Sequence, residues 1–105
     1  MKVELLYFDD CPNWRITREE LGSVLDDHGV DAAIDLIEVT TPEEAQQRSF
    51  HGSPSVRINE VDPFLTEDAP IALACRVYIT SDCFAGRPTK AQLTAAVETA
   101  LGSAD

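Results

Sequence analysis

Positive charge is scarce in this chain. Eight lysines and arginines stand against nineteen aspartates and glutamates, a formal charge of −11 over 105 residues. Binding phosphate backbones needs a basic face, so this balance argues against nucleic acid as a partner. It argues equally against anionic membrane surfaces. Long apolar runs are missing too: none approaches the roughly 18 residues that a membrane-spanning helix requires. The opening "MKVELLYFDDC" has one lysine and a short apolar run ended by two aspartates. Without an h-region or a small-residue cleavage site it does not read as a signal peptide, and the default location is the cytoplasm.

Cysteine is sparse, with three in the chain and no close pair. That speaks against a structural disulfide framework and for a reducing compartment. Neither C-x-x-C nor H-x-x-x-H spacing occurs, so no fixed zinc site is expected, and no cofactor is called for. Internal repeats, linkers and low-complexity segments are also lacking. What remains is ordinary for a globular protein, 44% apolar and 26% charged. One domain over residues 1–105 is expected, large enough for one modest core.

The chain alternates strand and helix. Val3, Leu5 and Tyr7 alternate with Glu4, Leu6 and Phe8, mostly apolar on both sides, as in an internal strand covered on two faces. A helix is predicted from about Pro12 to His28, stopped by Gly29. Residues 33–39 read as a second strand. Thr41, Pro42 and Glu44 then form a cap, a first helical position and a capping box for a short second helix ending near Phe50. Residues 54–59 and 73–80 ("LACRVYIT") read as third and fourth strands, separated by an acidic loop. A capping box at Thr89 and Gln92 opens the last helix, with Leu93, Val97, Ala100 and Leu101 on its apolar face. The order βαβαββα predicts a four-stranded mixed sheet with helices on both faces, its last two strands pairing antiparallel.

The chemistry centres on "YFDDCPNWR". Cys11 ends the first strand, and Pro12 is pre-set for the first helical turn, so Cys11 is the expected N-cap. There the free N–H groups and the helix dipole favour thiolate, the nucleophilic form. Asp9 and Asp10 oppose this unless they point into water, and Arg15, one turn on, offsets them in part. The net expectation is a thiol moderately more acidic than a free one. The other reading is a small apolar side chain at a buried helix end.

An apolar strand, "CPNW" opening a helix, a second βα unit, then "GSPSV" ahead of two strands and a final helix together resemble the thioredoxin/glutaredoxin family over nearly the whole chain. The resemblance implies that fold, with Cys11 as the attacking cysteine and Pro54 as a cis-proline packed against its sulfur. It also implies that the backbone of Ser53 is offered to an extended substrate. The family's second cysteine corresponds to Trp14, where the match fails. A dithiol site releases its mixed disulfide through that second thiol. Cys11 therefore acts as a monothiol, uses a distant cysteine, or does no redox chemistry. The implied partner is a thiol or disulfide substrate, either a protein or a low-molecular-weight thiol.

Cys83, in the turn before the last helix, and Cys75, in the fourth strand, are the two candidates for a distant resolving thiol. His51, three residues before Pro54, is either a helix C-terminal histidine favoured by the dipole or an imidazolium beside Cys11. Trp14 is either a core anchor or a partly exposed roof over Cys11 that contacts substrate, and the roof is preferred. His28 is read as structural. The alternative to exchange is a redox-inactive binding module for a peptide, a partner or a soft metal. A weak variant of it is mercury-type thiolate chemistry.

Overall fold

A computed structural model describes residues 1–66, 69–80 and 84–102, with the side chains of Ile79 and Phe84 outside the description. In chain order the elements are β1 (Val3–Tyr7), α1 (Asn13–Asp27), β2 (Ile34–Glu38), α2 (Pro42–Gln47), β3 (Ser55–Ile58), β4 (Tyr78–Ile79), β5 (Phe84–Ala85) and α3 (Lys90–Gly102). The mixed α/β character matches the alternation read from the sequence. The strand β1 is central, parallel to β2 on one side and antiparallel to β3 on the other, with Leu5 opposite both Leu36 and Val56.

The expected four-stranded sheet is not found. The main sheet has three strands, ordered β2-β1-β3, and β4 pairs antiparallel with β5 in a separate two-stranded ribbon. The pairing expected between the last two strands is therefore absent, and β3 takes β1 as its antiparallel partner instead. The physical reason lies at Pro54. The segment after residue 73 does approach the chain there, but it makes only a single parallel bridge, Ser53 to Cys75. Pro54 has no N–H with which to continue a ladder. At the far end of β3, Ile58 exchanges both backbone hydrogen bonds with Val61 (2.9 and 3.1 Å). Asn59 and Glu60 close that turn with φ of 52° and 69°, the left-handed pair of a tight hairpin.

The two faces of β1 carry separate cores. Val3 and Leu5 pack with Val56 and Ile58, with Trp14, Leu21, Val24 and Leu25 of α1, and with Leu93 and Val97 of α3. On the other face Leu6 packs with Val39, with Ala45 of α2 and with Phe50. The period of two along β1 thus sends alternate side chains into different layers.

Local signals explain the helix ends. Gly29 (φ 66°) donates to Asp26 O, and Val30 donates to Leu25 O, the double closure that a left-handed glycine permits. Thr41 Oγ1 accepts the N–H of Glu44 at 3.1 Å, and Glu44 reaches back to the N–H of Thr40 at 2.9 Å. Thr89 and Gln92 form the reciprocal box expected of them, at 2.9 and 3.0 Å. His28 bridges α1 and α3, with Nδ1 on Val24 O and Nε2 on Glu98. Leu101, expected on the apolar face of α3, is 40% exposed. Among the described residues, no helix is long and apolar enough to cross a membrane.

Candidate functional site

Cys11 stands one residue earlier than expected. The N-cap of α1 is Pro12, which has no side chain to offer the helix, and Cys11 lies in the preceding turn with its N–H donating to Phe8 O at 3.0 Å. Its side chain is completely buried. The thiol donates to the carbonyl of Ser53 at 3.6 Å, and the side-chain amide of Asn13 donates to the sulfur across a long 3.9 Å contact. Asn13 is held down by Gly86: a Cβ there would come within 2.4 Å of Asn13 Nδ2.

The Ser53–Pro54 peptide bond is cis, as the Ser53-Pro54 motif led us to expect. The role expected of the Ser53 backbone is not available, however. Its N–H donates to Ala74 O at 2.8 Å and its carbonyl accepts from the N–H of Arg76 at 2.9 Å. The protein's own residues 74–76 occupy the position where an extended substrate was expected. Gly52 makes this approach feasible. It has φ of 103°, and an added Cβ would sit 2.9 Å from Arg76 Cβ.

This bridge brings Cys75 to Cys11. Cys75 lies directly opposite Ser53, whose carbonyl takes the Cys11 thiol. The neighbouring Cys11 side chain, chiefly, and then burial push the Cys75 thiol from 9.0 up to about 11. Cys75 is nevertheless exposed, whereas Cys11 is not. It was one of two candidates for a second thiol. The other, Cys83, lies outside the described residues.

Arg76, Asp62, Ser55 and Tyr78 hold the 74–78 segment in place, and none was a candidate site residue from the sequence. Arg76, 8% exposed, pairs with Asp62 at 2.6 Å and donates to Ser55 Oγ at 3.3 Å. Its guanidinium lies 4.7 Å from the ring centre of Tyr78. The hydroxyl of Tyr78 donates to the carbonyl of Pro54, and burial holds this phenol well above the usual tyrosine range. Both sides of the cis-proline loop are thus tied to one strand segment. A sequence signal existed: a lone arginine inside "LACRVYIT" needs a buried counter-charge, and the acidic loop ahead of it supplies one.

The remaining candidates fall elsewhere. Trp14 is 9% exposed and stacks on Tyr7 at 4.1 Å, with Arg15 over its ring. It is a core anchor, not the partly exposed roof that was preferred, because its place on α1 faces the sheet. Arg15 is correspondingly spent on Trp14. His51 donates through Nδ1 to Pro70 O (3.2 Å) and lines a cleft of about 600 Å³ beside Cys75. Pro12 is exposed at the helix cap, and Asp9 and Asp10 are exposed in the turn before it. Among the described residues, no three His, Cys, Asp or Glu side chains gather as a metal site.

No protein-family model matches the sequence, and neither a curated protein nor a solved structure matches the chain significantly.

Proposed function

We propose that this protein carries out thiol–disulfide exchange through Cys11 and Cys75, on a thioredoxin-like frame whose second cysteine comes from residue 75 instead of residue 14. One observation carries the reading: the thiol of Cys11 bonds to the carbonyl of Ser53, and Ser53 is bridged directly to Cys75. Two thiols so paired can lose two electrons and two protons to become one disulfide, while a substrate disulfide becomes two thiols. The reverse direction oxidises two substrate thiols. The substrate is a thiol or disulfide, and a reducing cytoplasm suits a pair that must cycle between both states.

Exchange with a small reporter disulfide tests this, measured in a Cys83→Ser background. Loss of turnover in both Cys11→Ser and Cys75→Ser is expected. Full turnover without Cys11, in a folded variant, refutes the reading.

The same two sulfurs also suit capture of a soft metal ion, which favours thiolates. That reading predicts a thiolate-to-metal absorption band requiring both cysteines, with no turnover of the reporter. A peptide-binding module at Ser53 is the weaker alternative, because the chain already fills that edge with residues 74–76.

A further inference from the structure

Resting on the exchange reading, we infer that Cys75, not Cys11, is the sulfur that meets the partner, and that the partner is an uncharged thiol with an apolar body seated in the cleft beside Cys75.

Access decides the first half. Cys11 is fully buried behind the Ser53 carbonyl, so nothing from solvent reaches its sulfur. Cys75 is exposed and lines the cleft of about 600 Å³. That volume lies in the range of small-molecule sites. In the oxidised protein an incoming thiolate attacks the Cys75 sulfur from the cleft side. The bond between Cys75 and Cys11 breaks as the new bond to Cys75 forms, and the electron pair leaves on Cys11. The departing sulfur is well received there. The amide of Asn13 points at it, and once protonated it donates to Ser53 O. A second molecule of the thiol then attacks the mixed disulfide and releases Cys75. Two thiols become one disulfide, and the protein disulfide becomes two thiols.

The cleft's lining decides the second half. Phe64, Pro70, Val77 and Tyr78 present apolar surface around Cys75. Val77 is 66% exposed with nothing to cover it. No carboxylate is among the described lining residues, and the one buried cation, Arg76, is neutralised by Asp62. Among the described lining residues a neutral ligand thus meets no carboxylate and no unpaired arginine, while the whole chain, at −11, repels an anionic thiol such as glutathione.

The test uses the full chain with Cys83→Ser, oxidised beforehand. If no disulfide between Cys11 and Cys75 forms, the exchange reading fails and this inference with it. Once the disulfide is present, the protein is mixed with excess 2-phenylethanethiol or glutathione, quenched in acid and mapped. The adduct is expected on Cys75. An adduct on Cys11 overturns the assignment while leaving the exchange reading intact. The rate with each thiol is divided by its rate against a simple reference disulfide. This normalised rate should favour the apolar thiol by roughly tenfold and fall about threefold for that thiol in Val77→Ser, an exposed position. Equal normalised rates for the two thiols overturn the apolar cleft as the binding site.

Discussion

Replacing Cys11 with alanine removes most of what keeps the neighbouring thiol protonated. The Cys75 thiol is pushed from 9.0 to about 11, chiefly by the neighbouring Cys11 side chain and then by burial. The first cause leaves with the sulfur, and only burial remains. Cys75 in Cys11→Ala should therefore titrate between 9 and 11, nearer the lower value. At pH 8 a thiol of pKa 11 is about 0.1% thiolate and one of pKa 9 about 10%. Alkylation of Cys75 at pH 8 should accordingly speed up by roughly ten- to a hundredfold. The assay is iodoacetamide labelling across pH 7–11, with the Cys75 peptide quantified at each time point. Circular dichroism establishes that the variant is folded. The reasoning also fixes a sign for the wild type. A folded-state pKa above the unfolded one gives stability that is full below pH 9 and lost as the pH rises through 11. An unchanged alkylation rate in folded Cys11→Ala would refute the coupling between the two thiols.

Other perturbations probe the frame around the pair. Asp62→Ala strands the Arg76 guanidinium, each side chain being 7% exposed, and should cost about 3–5 kcal/mol in urea unfolding. The double change Asp62→Leu with Arg76→Met should cost clearly less, since no buried charge is left unpaired. Trp14→Cys would restore a C-P-x-C motif, but it empties a core position, so we expect a loss of about 3 kcal/mol or more and little gain in exchange. A stable, strongly active Trp14→Cys would contradict the core placement of that ring. His28 is raised above its ordinary 6.5, chiefly by its bond to Val24 O and then by Glu98. Its stabilisation is thus full below pH 6.5 and lost as the pH climbs through the raised value, so the melting temperature should fall over that window, and His28→Ala should flatten the fall.

Much of the frame was legible in the sequence because local chemistry dictates it. Pro42 behind Thr41, the Thr89–Gln92 box and Gly29 each set a helix end without help from distant residues. The two-faced apolar run of β1 marked the central strand. The fourth strand was misread because "LACRVYIT" has strand composition, while pairing depends on what lies beside it. There the neighbour is Pro54, which cannot extend a ladder, so Cys75 makes an isolated bridge to Ser53 and Tyr78–Ile79 pairs with Phe84–Ala85 instead. Periodicity on α1 also could not reveal that Trp14 turns toward Tyr7. That ring stacks on Tyr7 within the core.

The site was half legible. Cys11, Ser53 and Pro54 stood out as motifs, and Cys75 was one of two candidates for a second thiol. What spacing could not convey is the buried tie of Arg76 to Asp62 and Ser55. Those contacts join residues 14 and 21 positions apart and fix Cys75 opposite Ser53. Nor did it convey that Gly52, with φ of 103°, clears the path for that strand.

The most direct measurement is disulfide mapping of the wild-type chain after mild oxidation with a small disulfide. The account predicts one dominant intramolecular bond, Cys11 to Cys75, reversed by added thiol. A dominant bond between Cys11 and Cys83, or no bond between Cys11 and Cys75 under any mild oxidation, would contradict it.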